Sequence, residues 1–172
     1  ADEIITMNDK PKIVFLHFLL PHPPLVLDRN GNRVNPNADG NDWVPRNMYV
    51  EHVLYTNKLL TRLIDNIIKK SNPRMKPIII LQGDHGPYIC TREGGFEKFW
   101  LERFGILNAF NANDNFKKKL YDRFTPVNTF RLLFNEYFGT NYDLLPDTLY
   151  YSNYDFPYKF IDKTKFVRDN QN

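Results

Sequence analysis

A carboxylate and an imidazole stand side by side in the stretch GDHGP, at Asp84 and His85. Together they suit zinc, manganese or iron better than calcium. Two ligands do not complete a metal site, so others would have to come from elsewhere. Gly83 and Gly86 are expected to permit the bend that turns both side chains toward one ion. The alternative is an ordinary turn with a local hydrogen bond to Asp84 and a solvated His85, and the pattern leaves both open.

Two histidines lie in the stretch HFLLPHPP, in the first third of the chain. His22 stands between prolines, which fix the backbone and so the direction of its ring. A rigidly held imidazole suits contact with an anionic oxygen or proton transfer, and a loop histidine without a role is the alternative. His17 lies inside an apolar run, where a structural histidine is commoner than a ligand. His52 falls one residue off the apolar stripe of a predicted helix and is expected at the surface.

Two strands and a long helix are predicted to position these residues. The runs KIVFLHFLL at 12–20 and PIIILQ at 77–82 are typical of strands buried on both faces of a parallel sheet. Between them, apolar residues recur at three- and four-residue steps over 47–71, which predicts a helix with one wide apolar stripe. Strand, helix, strand is the order of an α/β fold. Since sites in such folds lie beyond the carboxyl ends of strands, both histidine-bearing turns are expected at one sheet edge.

Shorter elements are predicted further along the chain. Thr125 is a candidate N-cap and Gly139 fits a left-handed helix end. Residues 140–172 are expected to be irregular, with a short strand near 156–161. The remaining expectations are short helices over 96–104, 115–122 and 126–138, and a third strand over 106–110.

Length and composition indicate one globular domain spanning residues 1–172. The chain is 42% hydrophobic and 25% charged, which excludes a disordered chain, a collagen and a coiled-coil rod. Its net charge is +3 and its basic residues are dispersed, so nucleic-acid binding is not expected. The longest uncharged apolar run, 13–24, is too short to span a bilayer. A single cysteine excludes an internal disulfide and a cysteine-based zinc site.

Several stretches together resemble the second half of the alkaline phosphatase/sulfatase superfamily. They are HFLLPHPP, DRNG, IIILQGDHGP, FGILNAF, TPVNTFRLLFNEYFG and LLPD, and they span about Lys12 to Tyr151. The resemblance is in particular to sulfatase-like membrane proteins of bacteria and archaea, similar to lipoteichoic acid synthases and phosphoethanolamine transferases. It implies an alkaline-phosphatase-like three-layer α/β/α fold with a mainly parallel sheet, here incomplete.

The resemblance implies roles for individual residues. Asp84 and His85 match the pair that binds the catalytic divalent metal, with manganese or zinc favoured and magnesium or calcium as further options. His22 matches the catalytic histidine that contacts the phosphoryl or sulfuryl group of the substrate. His17, at the strand end before the substrate loop, is a second candidate for substrate binding, with its role left open. Two further matches, taken as structural, are Asn108 and Thr125–Arg131.

The sequence also departs from the family. Members carry an earlier acidic metal ligand and a threonine, serine or modified cysteine nucleophile, and the residues before Lys12 show neither. Thr6 sits in no matching motif, and Cys90 lacks the sulfatase context C-x-P-S-R. The chain is therefore expected to be the C-terminal portion of a longer protein.

The resulting expectation is a partial catalytic domain of a metal-dependent phosphoryl- or sulfuryl-group hydrolase or transferase, inactive by itself. Its partners would be a phosphate or sulfate ester and the missing N-terminal part, which would supply any membrane attachment. The intact protein would place its catalytic domain on the extracytoplasmic face of a membrane. Two alternatives remain open: a non-catalytic module that binds an anion in the same cleft, and an interaction domain that docks through its aromatic tail.

Overall fold

The computed structural model describes residues 11–35, 45–87 and 95–170, without the side chains of residues 95 and 96. The chain divides into two compact units, Ala1–Pro77 and Ile78–Asn172. Thr6 and Cys90 lie outside the described residues. No helix in the described part of the chain is both long and apolar enough to cross a membrane.

The first unit contains the long helix α1, Arg46–Lys70, which confirms the helix predicted over 47–71. Its end is fixed by Ser71, whose backbone N–H and hydroxyl both donate to the Ile67 carbonyl, at 3.0 and 2.5 Å. Pro73 follows two residues later and cannot continue a helix. The boundary was therefore predictable from local sequence.

The face that α1 buries differs from the predicted apolar stripe. Three residues of that stripe, Val50, Leu54 and Ile68, are between 36% and 50% exposed. The buried side chains of α1 are instead His52 and Thr56. The prediction that His52 lies at the surface is therefore wrong. A hairpin from earlier in the chain packs on the His52 face, and helical periodicity carries no information about such a partner.

That hairpin is built around the carboxylate of Asp28 and bridges Leu27 to Arg33 in antiparallel fashion. Asp28 Oδ1 accepts the N–H groups of Asn30 and Asn32, at 2.8 and 2.9 Å. Gly31 between them has φ +83°, a left-handed conformation that a side chain would strain. The sequence DRNGN thus forms a self-satisfied turn.

The hairpin docks on α1 through charge and through backbone hydrogen bonds. The Arg29 guanidinium pairs with the Glu51 carboxylate, and the Arg29 N–H also donates to Glu51 at 3.0 Å. Lys58 Nζ donates to the Arg29 carbonyl at 2.7 Å. The Leu27 N–H donates to His52 Nε2 at 2.9 Å. His52 is thus the buried acceptor that ties the hairpin to the helix.

This bond fixes the protonation of His52. Because Nε2 accepts, the neutral ring must carry its proton on Nδ1. Nδ1 is buried and has no hydrogen-bond partner among the described residues. Burial lowers the pKa of His52 below its ordinary 6.5, since the charged ring would lose its hydration. Protonation of Nε2 would also break the bond from Leu27.

The stability of the first unit is expected to fall in mild acid. The lowered pKa of His52 gives stability that is fully present above pH 6.5 and is lost as the pH falls through the lower folded value. One proton limits the slope to about 1.4 kcal/mol per pH unit. Hydrogen bonds from Asn32 and Arg29 hold the pKa values of Asp28 and Glu51 below their usual range, so neither carboxylate titrates in this window.

Thermal unfolding between pH 5 and 7.5 measures this slope. His52→Gln, whose amide oxygen can still accept from Leu27 without titrating, should flatten it. His17→Gln, at an exposed histidine of the same unit, should keep the wild-type slope. An unchanged slope in His52→Gln contradicts the assignment.

The strand predicted over residues 12–20 is absent from the structure, which is a correction to the sequence-based prediction. Residues 11–19 form neither helix nor strand and are exposed, with Ile13 at 93% and Phe15 at 87%. Within the described residues no strand pairs with this segment. An apolar run indicates a tendency to be buried, but a strand also needs hydrogen-bonded neighbours, which its own sequence cannot provide.

The second unit begins with β1 (Ile79–Gln82), α2 (Gly95–Phe104) and β2 (Asn108–Asn111). All three were predicted within a few residues. The two strands pair antiparallel, with Gln82 opposite Asn108. The described strands therefore contain no parallel pair, and the mainly parallel sheet is not seen in them. Here α2 returns the chain to the carboxyl end of β1, so β2 starts where β1 stops.

The second unit continues with three helices, a 3-10 turn and two very short strands. The Asn113 side chain caps α3 by accepting the Phe116 N–H at 2.7 Å. Gly139 ends α4 with φ +65°, as predicted. The helix α5 was not predicted, because it lies in the tail that was expected to be irregular. In order, the elements are α3 (Asp114–Lys119), a 3-10 turn (Pro126–Asn128), α4 (Thr129–Phe138), β3 (Tyr150–Tyr151), β4 (Ile161–Asp162) and α5 (Thr164–Asp169).

The core of the second unit combines α2 with the tail. Phe99 and Trp100 pack against Val167 of α5, and all three are buried. Tyr151 meets the Trp100 ring edge-on at 4.2 Å between centroids. The tail is thus part of the fold, and its Tyr151 and Phe166 pack against this core. Other aromatic residues of the tail, such as Tyr154 and Tyr158, are exposed.

Asp147 joins the tail to Thr125, the residue directly before the 3-10 turn. Its Oδ1 accepts both the N–H and the hydroxyl of Thr125, at 2.9 and 2.6 Å. Burial alone would raise the pKa of Asp147, but bonds from Thr125 and Tyr121 outweigh it and hold the pKa below its ordinary value. Thr125 was predicted to cap a helix. Its side chain makes no cap bond and binds Asp147 instead.

Candidate functional site

The candidate site is the turn Gly83–Gly86, directly after β1. The Gly83 N–H donates to the Leu107 carbonyl at 2.9 Å, so strand pairing continues into the turn. The Asp84 Oδ1 then accepts the His85 N–H at 3.0 Å. This is the local hydrogen bond of the ordinary-turn alternative. It occupies only one carboxylate oxygen.

The other oxygen of Asp84 faces the ring of His85. Asp84 Oδ2 and His85 Nε2 are 3.4 Å apart. Two ligand atoms bound at ~2.0–2.2 Å in tetrahedral geometry lie ~3.3–3.6 Å apart, so the separation of these two atoms matches that of two ligands of one ion. The two side chains are 87% and 41% exposed, respectively, which leaves them accessible. Donor chemistry and spacing therefore fit a divalent metal.

The ligand set is nevertheless incomplete. Among the described residues no group of three or more histidine, cysteine, aspartate or glutamate side chains could hold a metal ion. The pair Asp84–His85 is thus a half-site within the part of the chain that the structure describes. A tetrahedral metal would need further ligands beyond this pair.

The two glycines of the turn do not act as the sequence suggested. Neither Gly83 nor Gly86 has a positive φ, so unusual backbone angles do not explain them. A Cβ on Gly83 would make only ordinary contacts, the nearest at 3.7 Å. A Cβ on Gly86 would lie 1.8 Å from the Glu102 carbonyl oxygen. Gly86 is therefore needed for close packing of the turn against the end of α2.

The end of α2 also contacts the turn through Arg103. The Gly86 N–H donates to the Arg103 carbonyl at 2.8 Å. The Arg103 side chain reaches back, with Nη1 2.9 Å from the Gly86 carbonyl oxygen and 2.7 Å from His85 Nδ1. Sequence reasoning missed Arg103, because it lies 18 residues after His85 in no recognisable motif.

Asn108 lies at the same end of the β1–β2 pair, opposite Gln82. Its side-chain oxygen is buried and has no hydrogen-bond partner among the described residues. The Gln82 side chain accepts from the hydroxyl of Thr129, which is fully buried at the start of α4. The bond between Thr129 and Gln82 connects the start of α4 to β1. The structural roles expected for Asn108 and for Thr125–Arg131 stay predictions.

The other predicted residues, His17 and His22, belong to the first unit. His22 is exposed, and its N–H donates to the Leu19 carbonyl at 2.7 Å. Its Nδ1 lies 2.5 Å from the Pro23 carbonyl, so Nδ1 carries a proton and Nε2 is the atom left for a substrate. His17 lies in the exposed segment 11–19, with Phe15 edge-on at 6.4 Å. The structure thus brings Asp84 and His85 together and describes His17 and His22 in the other unit.

Comparison with known proteins supports one family. No curated protein and no solved structure matches the chain. The model of the family described as Sulfatase matches residues 1–125. The matched range includes both predicted histidines of the first unit and the Asp84–His85 pair, and it ends at Thr125, before α4. Since it covers more than half of the 172 residues, the chain belongs to the sulfatase family, within the alkaline phosphatase/sulfatase superfamily.

Proposed function

We propose that this chain carries part of the active site of a metal-dependent enzyme that hydrolyses or transfers a phosphoryl or sulfuryl group. The observation that carries the proposal is the 3.4 Å separation of Asp84 Oδ2 and His85 Nε2 in a turn after a strand. Membership of the sulfatase family supports it, because the family generally uses a divalent metal. For the fold, we propose the three-layer α/β/α arrangement of that superfamily.

Asp84 and His85 would hold the metal, through Oδ2 and Nε2. Manganese or zinc suits a mixed carboxylate and imidazole pair, with magnesium or calcium as further options. When bound, a divalent ion supplies a Lewis acid that draws charge from the ester oxygens. His85 would also donate a hydrogen bond from Nδ1 to a neighbouring group, and this hydrogen bond would orient its ring toward the ion.

His22 would contact the anionic group of the substrate. Its Nδ1 is engaged with the Pro23 carbonyl, so contact would use Nε2, which must also carry a proton to donate to an anionic oxygen. A donor placed where negative charge develops is a strong catalytic contribution. His17 would be an additional substrate contact.

The substrate would be a phosphate or sulfate ester. Following the resemblance to lipoteichoic acid synthases and phosphoethanolamine transferases, we propose that the protein works on the extracytoplasmic face of a membrane. No nucleophile motif was recognised in the 172 residues. We therefore propose that this chain by itself turns over esters very slowly or not at all.

Metal uptake tests the proposal. Mn²⁺ binding followed by electron paramagnetic resonance, and Zn²⁺ binding by calorimetry, should both be detectable for the wild-type chain. Asp84→Asn and His85→Gln should each weaken binding at least ~10-fold, because each removes a direct ligand. Asp114→Asn is the matched control, since its side chain is 88% exposed and lies on α3. Equal binding by Asp84→Asn and the wild type contradicts the metal role and favours a metal-independent binding module.

Turnover of nitrophenyl phosphate, bis-nitrophenyl phosphate and nitrophenyl sulfate is measured on the same preparations with Mn²⁺ or Zn²⁺. Little or none is expected. Metal-dependent turnover that Asp84→Ala abolishes would overturn the proposed inactivity while supporting the metal role.

A further inference from the structure

Three polar atoms form a small triangle at the Nδ1 side of the His85 ring: Arg103 Nη1, His85 Nδ1 and the Gly86 carbonyl oxygen. Arg103 Nη1 is 2.7 Å from His85 Nδ1 and 2.9 Å from the Gly86 carbonyl oxygen. His85 Nδ1 is itself 2.9 Å from the same oxygen. All three pairs of atoms are within hydrogen-bond distance. The positions of the hydrogens decide which of these hydrogen bonds form.

When the His85 ring is neutral, the hydrogens among these three atoms can be placed in two mutually exclusive ways. In the first, Nη1 uses both of its hydrogens, one toward Nδ1 and one toward the Gly86 carbonyl. His85 then carries its own proton on Nε2, the nitrogen that faces Asp84. In the second, Nδ1 carries the proton and donates it to the Gly86 carbonyl. Arg103 can then no longer donate to Nδ1, because both atoms are donors.

Only the second arrangement leaves a lone pair on Nε2. A metal-binding histidine uses one nitrogen for the ion and donates its other N–H to a carbonyl or carboxylate. The Gly86 carbonyl is in place for that bond at 2.9 Å. The Arg103 contact at 2.7 Å, the shortest edge, corresponds to the arrangement that blocks the metal.

We propose that Arg103 is a positioning residue that selects the tautomer of His85 and so opposes the binding of a divalent cation. This inference rests on the proposed metal role of His85. Loading of the cation requires the Arg103 side chain to leave Nδ1, and the bond from Nδ1 to Gly86 replaces it.

The backbone around the triangle is suited to such an exchange. The Gly86 N–H is tied to the Arg103 carbonyl at 2.8 Å, and Gly86 packs against the Glu102 carbonyl without room for a side chain. The Gly86 carbonyl oxygen is therefore held in place. The exchange needs a movement of the Arg103 side chain, together with the loss of the Nε2 proton to solvent and the uptake of a proton from solvent at Nδ1 of the accessible ring.

The imidazole nitrogens of His85, observed by long-range ¹⁵N NMR on the metal-free chain at pH 8, report the tautomer directly. The wild type should show the Nε2–H form. Arg103→Met should shift His85 to the Nδ1–H form, because the competing donor is gone. Arg103→Lys retains a donor and should keep the Nε2–H form. Lys98→Met, which removes one positive charge from α2 without touching His85, should also leave it unchanged.

Mn²⁺ titration of the same variants supplies the second readout. Arg103→Met should bind Mn²⁺ about three- to tenfold more tightly than Lys98→Met, the range expected for loss of one competing hydrogen bond. The Gly86 amide resonance shows whether the turn stays folded.

An Nδ1–H tautomer in the wild type, or no tautomer change in Arg103→Met, overturns the inference. If the tautomer changes but no variant binds Mn²⁺, Arg103 selects the tautomer but does not oppose a cation. In that case the proposed metal-binding function is wrong.

Discussion

Gly86→Ala is expected to dislodge the candidate metal-binding turn and to destabilise the second unit. The added Cβ would lie 1.8 Å from the Glu102 carbonyl oxygen and, with no adjustment, 2.9 Å from the Gly105 carbonyl oxygen. Both obstacles are backbone atoms at the end of α2, so neither can rotate away as a side chain would. We expect a loss of ~3 kcal/mol or more, the upper range for overpacking. The bond from the Gly86 N–H to the Arg103 carbonyl would lengthen or break with it.

Unfolding in guanidinium measures this loss, followed by fluorescence in a Trp43→Phe background so that Trp100 of α2 is the reporter. Gly83→Ala is the matched control in the same turn, because its Cβ would meet nothing closer than 3.7 Å. It should change stability by less than ~1 kcal/mol, as most surface substitutions do. Mn²⁺ binding should fall in Gly86→Ala and persist in Gly83→Ala. Equal effects of the two substitutions would show that the close contact with Glu102 is not what requires glycine.

The contrast between Gly83 and Gly86 separates what the sequence predicts about this turn from what it does not. The position of the GDHG turn after a strand was predictable, because both features depend on neighbouring residues. The reason for Gly86 was not, because its obstacle is a carbonyl 16 residues later. The same limit applies to Arg103. Its side chain contacts His85 only because the end of α2 packs against the turn. No local sequence pattern predicts that tertiary contact.

The long helix illustrates the same division between local and tertiary information. Its bounds followed from periodicity and from Pro73, and the structure places them within one residue of the prediction. Its buried face did not follow, because His52 is covered by a hairpin 25 residues earlier in the chain. Apolar periodicity identifies the face that could be buried. Which face is buried depends on where hydrogen-bonding partners lie.

The first predicted strand failed for a related reason. Residues 12–20 have the composition of a central strand, and the family match covers them. A β-strand also needs a neighbouring strand to form hydrogen bonds with, however, and none of the described strands pairs with this segment. The pairing of β1 with β2 was equally invisible in the sequence, since two apolar runs do not reveal their relative direction.

Two asparagines in and beside α4 make the same contact in different surroundings. Asn128 donates to the Leu145 carbonyl and accepts the Leu145 N–H, both at 2.9 Å. Asn135 does the same with Tyr142, at 2.8 and 2.7 Å. Each side-chain amide thus pairs with one residue's backbone as a neighbouring strand would. Asn128 is fully buried, whereas Asn135 is only partly so.

Asn128→Ala is expected to be among the most destabilising substitutions in the second unit, at ~2–4 kcal/mol. It would leave the Leu145 backbone groups without their partners. It would also remove the donor to the Tyr121 hydroxyl, at 2.9 Å, and the contact to Asp147, at 3.3 Å. Asn135→Ala should cost ~0.5–1.5 kcal/mol, because water can replace the lost bonds at a partly exposed site. The same Trp100 unfolding assay compares the two.

Asn128→Asp separates hydrogen bonding from volume. Aspartate has nearly the same size and can still accept the Leu145 N–H, but it cannot donate to the Leu145 carbonyl. It would also place a second carboxylate beside Asp147, whose pKa the surrounding donors already hold below its ordinary value. We therefore expect Asn128→Asp to be about as destabilising as Asn128→Ala. If it retains wild-type stability, or if Asn135→Ala costs as much as Asn128→Ala, the buried amide is not what fastens the tail to α4.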